Sequence, residues 1–220
     1  MQDITNLQVE KIPLNQFNYM RWNYIDIGTC NFETSLELLL PNEIILLIDP
    51  VKEYLDDLPS GEHIFKENVA ITNQDGLINL IYINPSLIKN KILKSWIGGS
   101  TRIGRQHPTI TKLLQENKIS ENDLIKTEVK TISIDTLIRK YKINSVYQIK
   151  IDTEGYESII LESILKSINQ GLEVDRIIFE YRKELSDLIE LNRLIEEYKK
   201  LGYRSEWATK KQRDILLEKL

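Results

Sequence analysis

Short strand-like runs alternate with helical runs along this chain. One of them, Glu43 to Ile48 (EIILLI), is apolar at nearly every position. A strand with one wet face alternates apolar and polar residues. One that is apolar throughout must be covered on both faces, the position of a parallel strand between two helix layers. Around it the pattern predicts strands over Arg21 to Ile27, Glu128 to Ile134, Val146 to Ile151 and Arg176 to Tyr181. Helices are expected over Phe32 to Leu40, Lys52 to Leu58, Glu154 to Ile168 and Leu185 to Lys200, with Asp135 capping a short one that ends at Tyr141. His63 to Thr72 and Leu77 to Ile83, joined by Asn73-Gln74-Asp75-Gly76, read as a hairpin. Tyr203 to Trp207 and Asp214 to Glu218 read as a closing antiparallel pair. Strands alternating with helices imply an α/β fold with a doubly wound, mostly parallel sheet.

Residues 84–126 interrupt this alternation. They are polar, carry Gly98-Gly99, Gly104 and Pro108, and hold only a short helical piece over Thr109 to Asn117. Long irregular segments in compact domains are usually lids or binding loops, so this one reads as an insertion over the site. A length of 220 residues suits one domain spanning 1–220. A net charge of −4 leaves no basic surplus for phosphates and argues against a nucleic-acid partner. The single cysteine, Cys30, excludes an intramolecular disulfide and a multi-cysteine zinc site, and His63 and His107 lie far apart. No metal is expected, although adjacent acids could recruit one. The first residues lack a signal-peptide pattern, and no apolar run approaches the roughly 20 residues of a membrane span. A soluble, cytoplasmic protein is expected.

In a doubly wound sheet, ligands bind beyond the C-terminal strand ends, so residues there matter most. The first such end is Asp26-Ile27-Gly28-Thr29. It lacks the G-x-G-x-x-G that brings backbone N–H groups onto a pyrophosphate, which argues against a dinucleotide enzyme. An acid before the glycine would repel phosphate and attract a sulfonium or ammonium, so S-adenosylmethionine fits. A plain βα turn with a capping acid fits the same residues. Asp49-Pro50-Val51 ends the second strand, where a carboxylate can accept ribose hydroxyls or cap the helix that follows. Asn68, Val69, Ala70 and Ile71 fit an adenine-binding strand end or an ordinary core strand. Asp152 and Glu154, two carboxylates at i and i+2 before Gly155, can orient or deprotonate a hydroxyl, or simply serve the start of a helix. Glu180 stands at a further strand end.

Taken in order, IDIGTCNFETS, IDPVKEYLDDLP, ENVAITNQDGLINLIYI, VKTISIDTLI and YQIKIDTEGYESIIL resemble the FkbM family of S-adenosylmethionine-dependent methyltransferases. The most specific block is IKIDTEGYE, which matches the family's K-I-D-x-E-G-x-E. The matched blocks run from about Asn23 to Leu161. The family's D-x-G-A-N-x-G turn departs here, with Thr29 for Ala, Cys30 for Asn and Phe32 for the second Gly. The resemblance implies a class I, Rossmann-like, seven-stranded sheet with an antiparallel last strand. It implies S-adenosyl-L-methionine as cofactor and S-adenosyl-L-homocysteine as product. Asp26, Gly28 and Thr29 would line the methionine end, Asp49, Pro50 and Val51 the ribose, and Asn68 to Ile71 the adenine. Asp152 and Glu154 would face the reacting centre.

The implied reaction is O-methylation of a hydroxyl on a sugar, glycan or other acceptor. Trp96, Arg102, Arg105 and His107, from the insertion, resemble a W-x-x-G…H-P segment of part of the family. An indole stacks on a sugar face, Arg and His reach hydroxyls or a phosphate, and His107 is a candidate general base. Glu180 joins them as a candidate acceptor contact. Two rivals remain: an RNA ribose or cap methyltransferase, kept open by Arg102 and Arg105, and a catalytically inactive binding module on the same fold.

Overall fold

The computed structural model describes residues 21–30, 34–208 and 213–220. Its spine is a seven-stranded sheet. Strands β1 (Trp22–Ile27), β2 (Ile45–Ile48) and β3 (Ile64–Glu67) run outward in parallel on one side. On the other side of β1 lie β8 (Ser145–Ile151) and β9 (Glu173–Glu180), also parallel. The sheet is completed by β11 (Asp214–Lys219), antiparallel to β9, and β10 (Tyr203–Trp207), antiparallel to β11, in the order β10-β11-β9-β8-β1-β2-β3. The order reverses between β1 and β8. Their C-terminal ends are tied where the Asp152 N–H donates to the Ile27 carbonyl at 2.9 Å.

The apolar run of β2 is explained by its two faces. Leu46 and Ile48 belong to the main core with residues of α4 (Ile134–Tyr141), α5 (Glu157–Asn169) and α6 (Leu188–Lys200). Ile45 and Leu47 join Tyr24 and, from the region of α1 (Lys52–Asp57), Leu55 and Leu58. All four strand residues are essentially sealed from solvent. Each contributes roughly 1.5–3 kcal/mol by leaving water, upper values because unfolded chains are already partly collapsed.

A second, four-stranded sheet has the order β4-β7-β5-β6, with β4 (Ala70–Thr72), β5 (Gly76–Ile83), β6 (Arg102–Ile103) and β7 (Leu124–Ser133). It corrects the hairpin expected from Asn73-Gln74-Asp75-Gly76. β4 and β5 do not pair. β7 lies between them, parallel to β4 and antiparallel to β5 from Gly76↔Thr131 to Ile83↔Leu124. Asp75 holds it there, accepting from the Ser133 N–H and the Thr136 hydroxyl, each at 2.8 Å. The run His63 to Thr72 is likewise two strands, leaving the main sheet after Glu67 and entering the second at Ala70.

Element ends move for local reasons. Ser133, not Asp135, caps α4, accepting from the Thr136 N–H at 3.1 Å. The helix expected from Glu154 starts only at Glu157, because Glu154 (φ 54°) and Gly155 (φ 119°) are left-handed and cannot join a right-handed helix. α6 starts at Leu188, capped by Asp187, which accepts from Ile189 and Glu190. The helix expected over Phe32 to Leu40 is a 3-10 turn, Ser35–Leu38, and Phe32 lies outside the described residues.

The segment between β5 and β7 is more structured than its polar composition suggests. It forms α2 (Pro85–Lys89), β6 and α3 (Pro108–Gln115), and Ile83, Ile97, Ile110, Leu113, Ile119 and Leu124 close a small core of their own. Tyr54, buried on α1, pins it to the main domain by donating its hydroxyl to the Gly98 carbonyl at 2.9 Å. Among the described residues no helix is long and apolar enough to cross a membrane.

Candidate active site

The main cleft opens to solvent where the strand order reverses. Ile27 to Cys30, Asp49, Pro50 and Val69 to Ile71 line one part, and Asp152 to Glu154, Glu180, Arg182 and His107 another. The cleft is therefore shared between the ends of both halves of the sheet and the inserted segment.

The β1 turn carries its own surprise. Gly28 (φ 78°) lines the cleft, but its missing side chain makes room for backbone. A Cβ there would lie 1.8 Å from the Asp152 carbonyl oxygen, so the glycine lets the ends of β1 and β8 meet. Asp26 is fully buried behind the cleft and does not line it. Its Oδ2 accepts from the Ser35 N–H at 2.7 Å, and the Lys150 ammonium stands 3.8 Å from its Oδ1. The cation that Asp26 faces is thus a lysine of the chain, which corrects the expectation of a direct cofactor contact. Cys30 is left-handed (φ 48°), a conformation that Asn tolerates better than most residues, and Asn is the residue it replaces in the resembling turn. Thr29 lines the cleft, and its buried hydroxyl has no hydrogen-bond partner.

Asp49 is held from both sides. Its Oδ1 accepts from the Val51 N–H and its Oδ2 from the Cys30 N–H, both at 2.8 Å. Burial still pushes its carboxyl up to about 7, with the Asp26 charge adding to the rise against those two donors. Val51 and Asn68 therefore act behind the cleft. Val51 supplies backbone, and Asn68 donates its side-chain amide to the Asp49 carbonyl at 2.9 Å. Val69, Ala70 and Ile71 do line the cleft.

The turn after β8 is built around Glu157, which is fully buried. Its Oε1 accepts from the Thr153 N–H, the Thr153 hydroxyl and the Gly155 N–H at 3.0–3.1 Å, and its Oε2 from the Ser186 hydroxyl at 3.0 Å. This clamp fixes Glu154 in its left-handed conformation. Glu154 Oε2 then meets His107 Nε2 at 3.0 Å and Arg182 Nη2 at 2.9 Å. The His107 ring has no free base position. Its Nδ1 accepts from the Thr109 N–H at 3.0 Å, so the proton lies on Nε2 and is donated to Glu154. His107 caps α3 and orients Glu154, which corrects its expected role as a general base.

Burial pushes Asp152 up to about 7, opposed by Lys150 and aided by Glu154, Glu157 and Asp214. Its side chain is 39% exposed, but that surface faces the confined cleft, so desolvation remains the leading cause. Burial also pushes Glu180 up to about 9, aided by the Asp152 and Glu154 charges and opposed by Arg182.

Of the residues expected to meet an acceptor, Trp96 stands at the cleft with 55% of its surface exposed. Arg102 does not line it. Its buried guanidinium donates to the Leu185 carbonyl at 2.9 Å and packs where a Cβ on Gly155 would intrude at 2.7 Å. Arg105 is exposed and also lies outside the lining. Arg182, Lys150, Arg213 and Tyr54 also line the cleft. Lys150 is the Lys of the IKIDTEGYE block and Tyr54 lies in IDPVKEYLDDLP, but neither is singled out there as a site residue, and Arg182 and Arg213 lie outside every matched block. The one available sign for Arg182 was its place two residues past Glu180, just beyond a strand end.

The comparisons agree with this architecture. The profile of the Methyltransferase FkbM domain matches residues 26–205. The crystal structure of Methyltransferase FkbM from Methylobacillus flagellatus KT is similar in fold, with a TM-score of 0.51 and 14% identity over 90% of this chain. The chain spans 43% of that structure's length. No curated protein matches. With the profile covering most of its length, the chain belongs to the FkbM methyltransferase family.

Proposed function

We propose that this chain is an S-adenosylmethionine-dependent O-methyltransferase acting on a hydroxyl of a sugar or glycan. The reading takes the seven-stranded order, with β11 antiparallel, as the class I methyltransferase arrangement. One observation supports it above the others: the β1, β2 and β4 regions and the acids ending β8 and β9 converge on one cleft, as a reading with neighbouring cofactor and acceptor places requires.

The residues fit such a cofactor. Asp49 is an acceptor for a ribose diol, Val69 to Ile71 offer an apolar wall for adenine, and the unpartnered Thr29 hydroxyl suits the polar methionine end. When bound, the cofactor supplies an electrophilic methyl group on a sulfonium. The chain supplies position and a proton acceptor. Asp152, with its carboxyl near 7, is suited to take the proton from an acceptor hydroxyl, and Glu154 is held beside it by His107 and Arg182. Trp96 offers its indole face to a sugar at the mouth.

Calorimetric titration with S-adenosylmethionine and with S-adenosylhomocysteine tests the reading. Saturable binding is expected. Absence of binding up to about 1 mM, the weak end of ordinary recognition, removes it. Binding without product from a panel of hydroxyl acceptors would favour a binding module instead.

A further inference from the structure

Three carboxylates from three positions converge at one end of the cleft. Asp152 follows β8, Glu154 sits in the left-handed turn, and Glu180 ends β9. Each offers one oxygen, and the three oxygens lie within 4.8 Å of one another. An acidic cluster alone would carry little, since such clusters are common.

Glu180 supplies the second observation. It is 8% exposed, lines the cleft, and its buried Oε2 has no hydrogen-bond partner. A buried carboxylate oxygen with no donor is costly, so a fold that keeps one implies something that completes it. The cations nearby do not. Arg182 Nε lies 2.6 Å from the other oxygen, Oε1, without hydrogen-bond alignment. Arg182 Nη2 and His107 both approach Glu154 through Oε2. Lys150 Nζ stands 4.0 Å from Asp152 Oδ2.

We propose that Asp152, Glu154 and Glu180 bind a divalent cation of the hard, oxygen-preferring class, Mg²⁺ or Mn²⁺. Neighbouring oxygens around such an ion stand about 3 Å apart, so the three carboxylates need to draw together by only an ångström or two. Three protein oxygens leave the rest of the shell to water or to hydroxyls from the cleft. The ion would supply the partner that Glu180 Oε2 lacks. Its binding stands on this geometry alone. A role in polarising an acceptor hydroxyl, in addition, rests on the methyl-transfer reading.

The test is titration of the full chain with Mn²⁺ alone, followed by electron paramagnetic resonance of the free ion. One saturable site per chain is expected. Glu180→Gln and Asp152→Asn should each weaken it at least ten-fold, with folding checked by circular dichroism. Should Glu180→Gln not fold, Glu180→Asp, which keeps the charge but shortens the arm, should weaken Mn²⁺ at least three-fold. No saturable binding below about 1 mM, the weakest range of dedicated cation sites, would overturn the proposal, as would unchanged affinity in the folded variants. The cofactor is absent from this titration. Mn²⁺ binding without S-adenosylmethionine binding would therefore remove the methyl-transfer reading and leave the cation site standing, and the reverse result would do the opposite.

Discussion

Asp49 is fixed by the fold and yet lines the cleft, where the proposed reading gives it a ribose to hold. Two backbone N–H groups fix it, yet burial leaves it neutral below about pH 7. Its folded value lies above the ordinary one, so its contribution to stability is greatest at low pH and is lost as pH rises through about 7. A ribose diol donates hydrogen bonds and favours the charged form, so cofactor affinity should move the other way. An increase of about ten-fold between about pH 6 and pH 8 is expected by calorimetry, and Asp49→Asn should flatten that dependence. His107 makes a separate prediction. Because it orients Glu154 and has no free base position, His107→Ala should lower kcat by less than the roughly 10²-fold typical of a lost general base. The shape of the pH–rate profile should stay unchanged. A lost ionisation in that profile would restore His107 as the base.

At the scale of elements, turns carry the strain that positions the site. Gly28→Ala would push a methyl group to within 1.8 Å of the Asp152 carbonyl at a left-handed position. Thermal or denaturant unfolding should show a loss of about 3 kcal/mol or more, in the range reserved for backbone strain and overpacking. Tyr54→Phe should cost about 1 kcal/mol, one net hydrogen bond. Its mark should be faster amide exchange around Gly98 with the main sheet unchanged, because that hydroxyl joins α1 to the inserted segment.

The sequence made some of this legible. The wholly apolar β2, the amphipathic α6 and the strand before Asp152 follow from periodicity, which tertiary packing here obeys. The split of His63 to Thr72 between two sheets was hidden, because both halves are equally strand-like and only pairing tells them apart. The same holds for Asp26. Its place at a strand end was readable, but whether its carboxylate points to the cleft or to Ser35 and Lys150 is decided by packing. Arg102 reads as a recognition arginine until Gly155 is seen to leave room for it.

At the scale of the whole molecule, the cleft is a junction rather than a pocket within one element. The main sheet and β4 of the second sheet contribute the flanks, and the segment between β5 and β7 contributes Trp96 and His107. Under the proposed reading, coupling between cofactor and acceptor would have a physical route. Asp152 abuts Gly28 through its backbone and Glu154 meets His107 through its side chain, so both ligands would bear on one turn held by Glu157.

The placement of β7 has a consequence for how the protein comes into being. β4 and β5 leave the ribosome almost together, but the strand that separates them follows only after α2, β6 and α3 have been synthesised. Until then β4 has no partner, and the edge of β5 that β7 will occupy is a bare template for any passing strand. Assembly of the second sheet is therefore vectorially delayed, and its long-range closure is expected to set the pace of maturation. Pulse-labelled exchange during refolding should show residues 76–83 and 124–133 gaining protection in one concerted phase, later than the local helix α5.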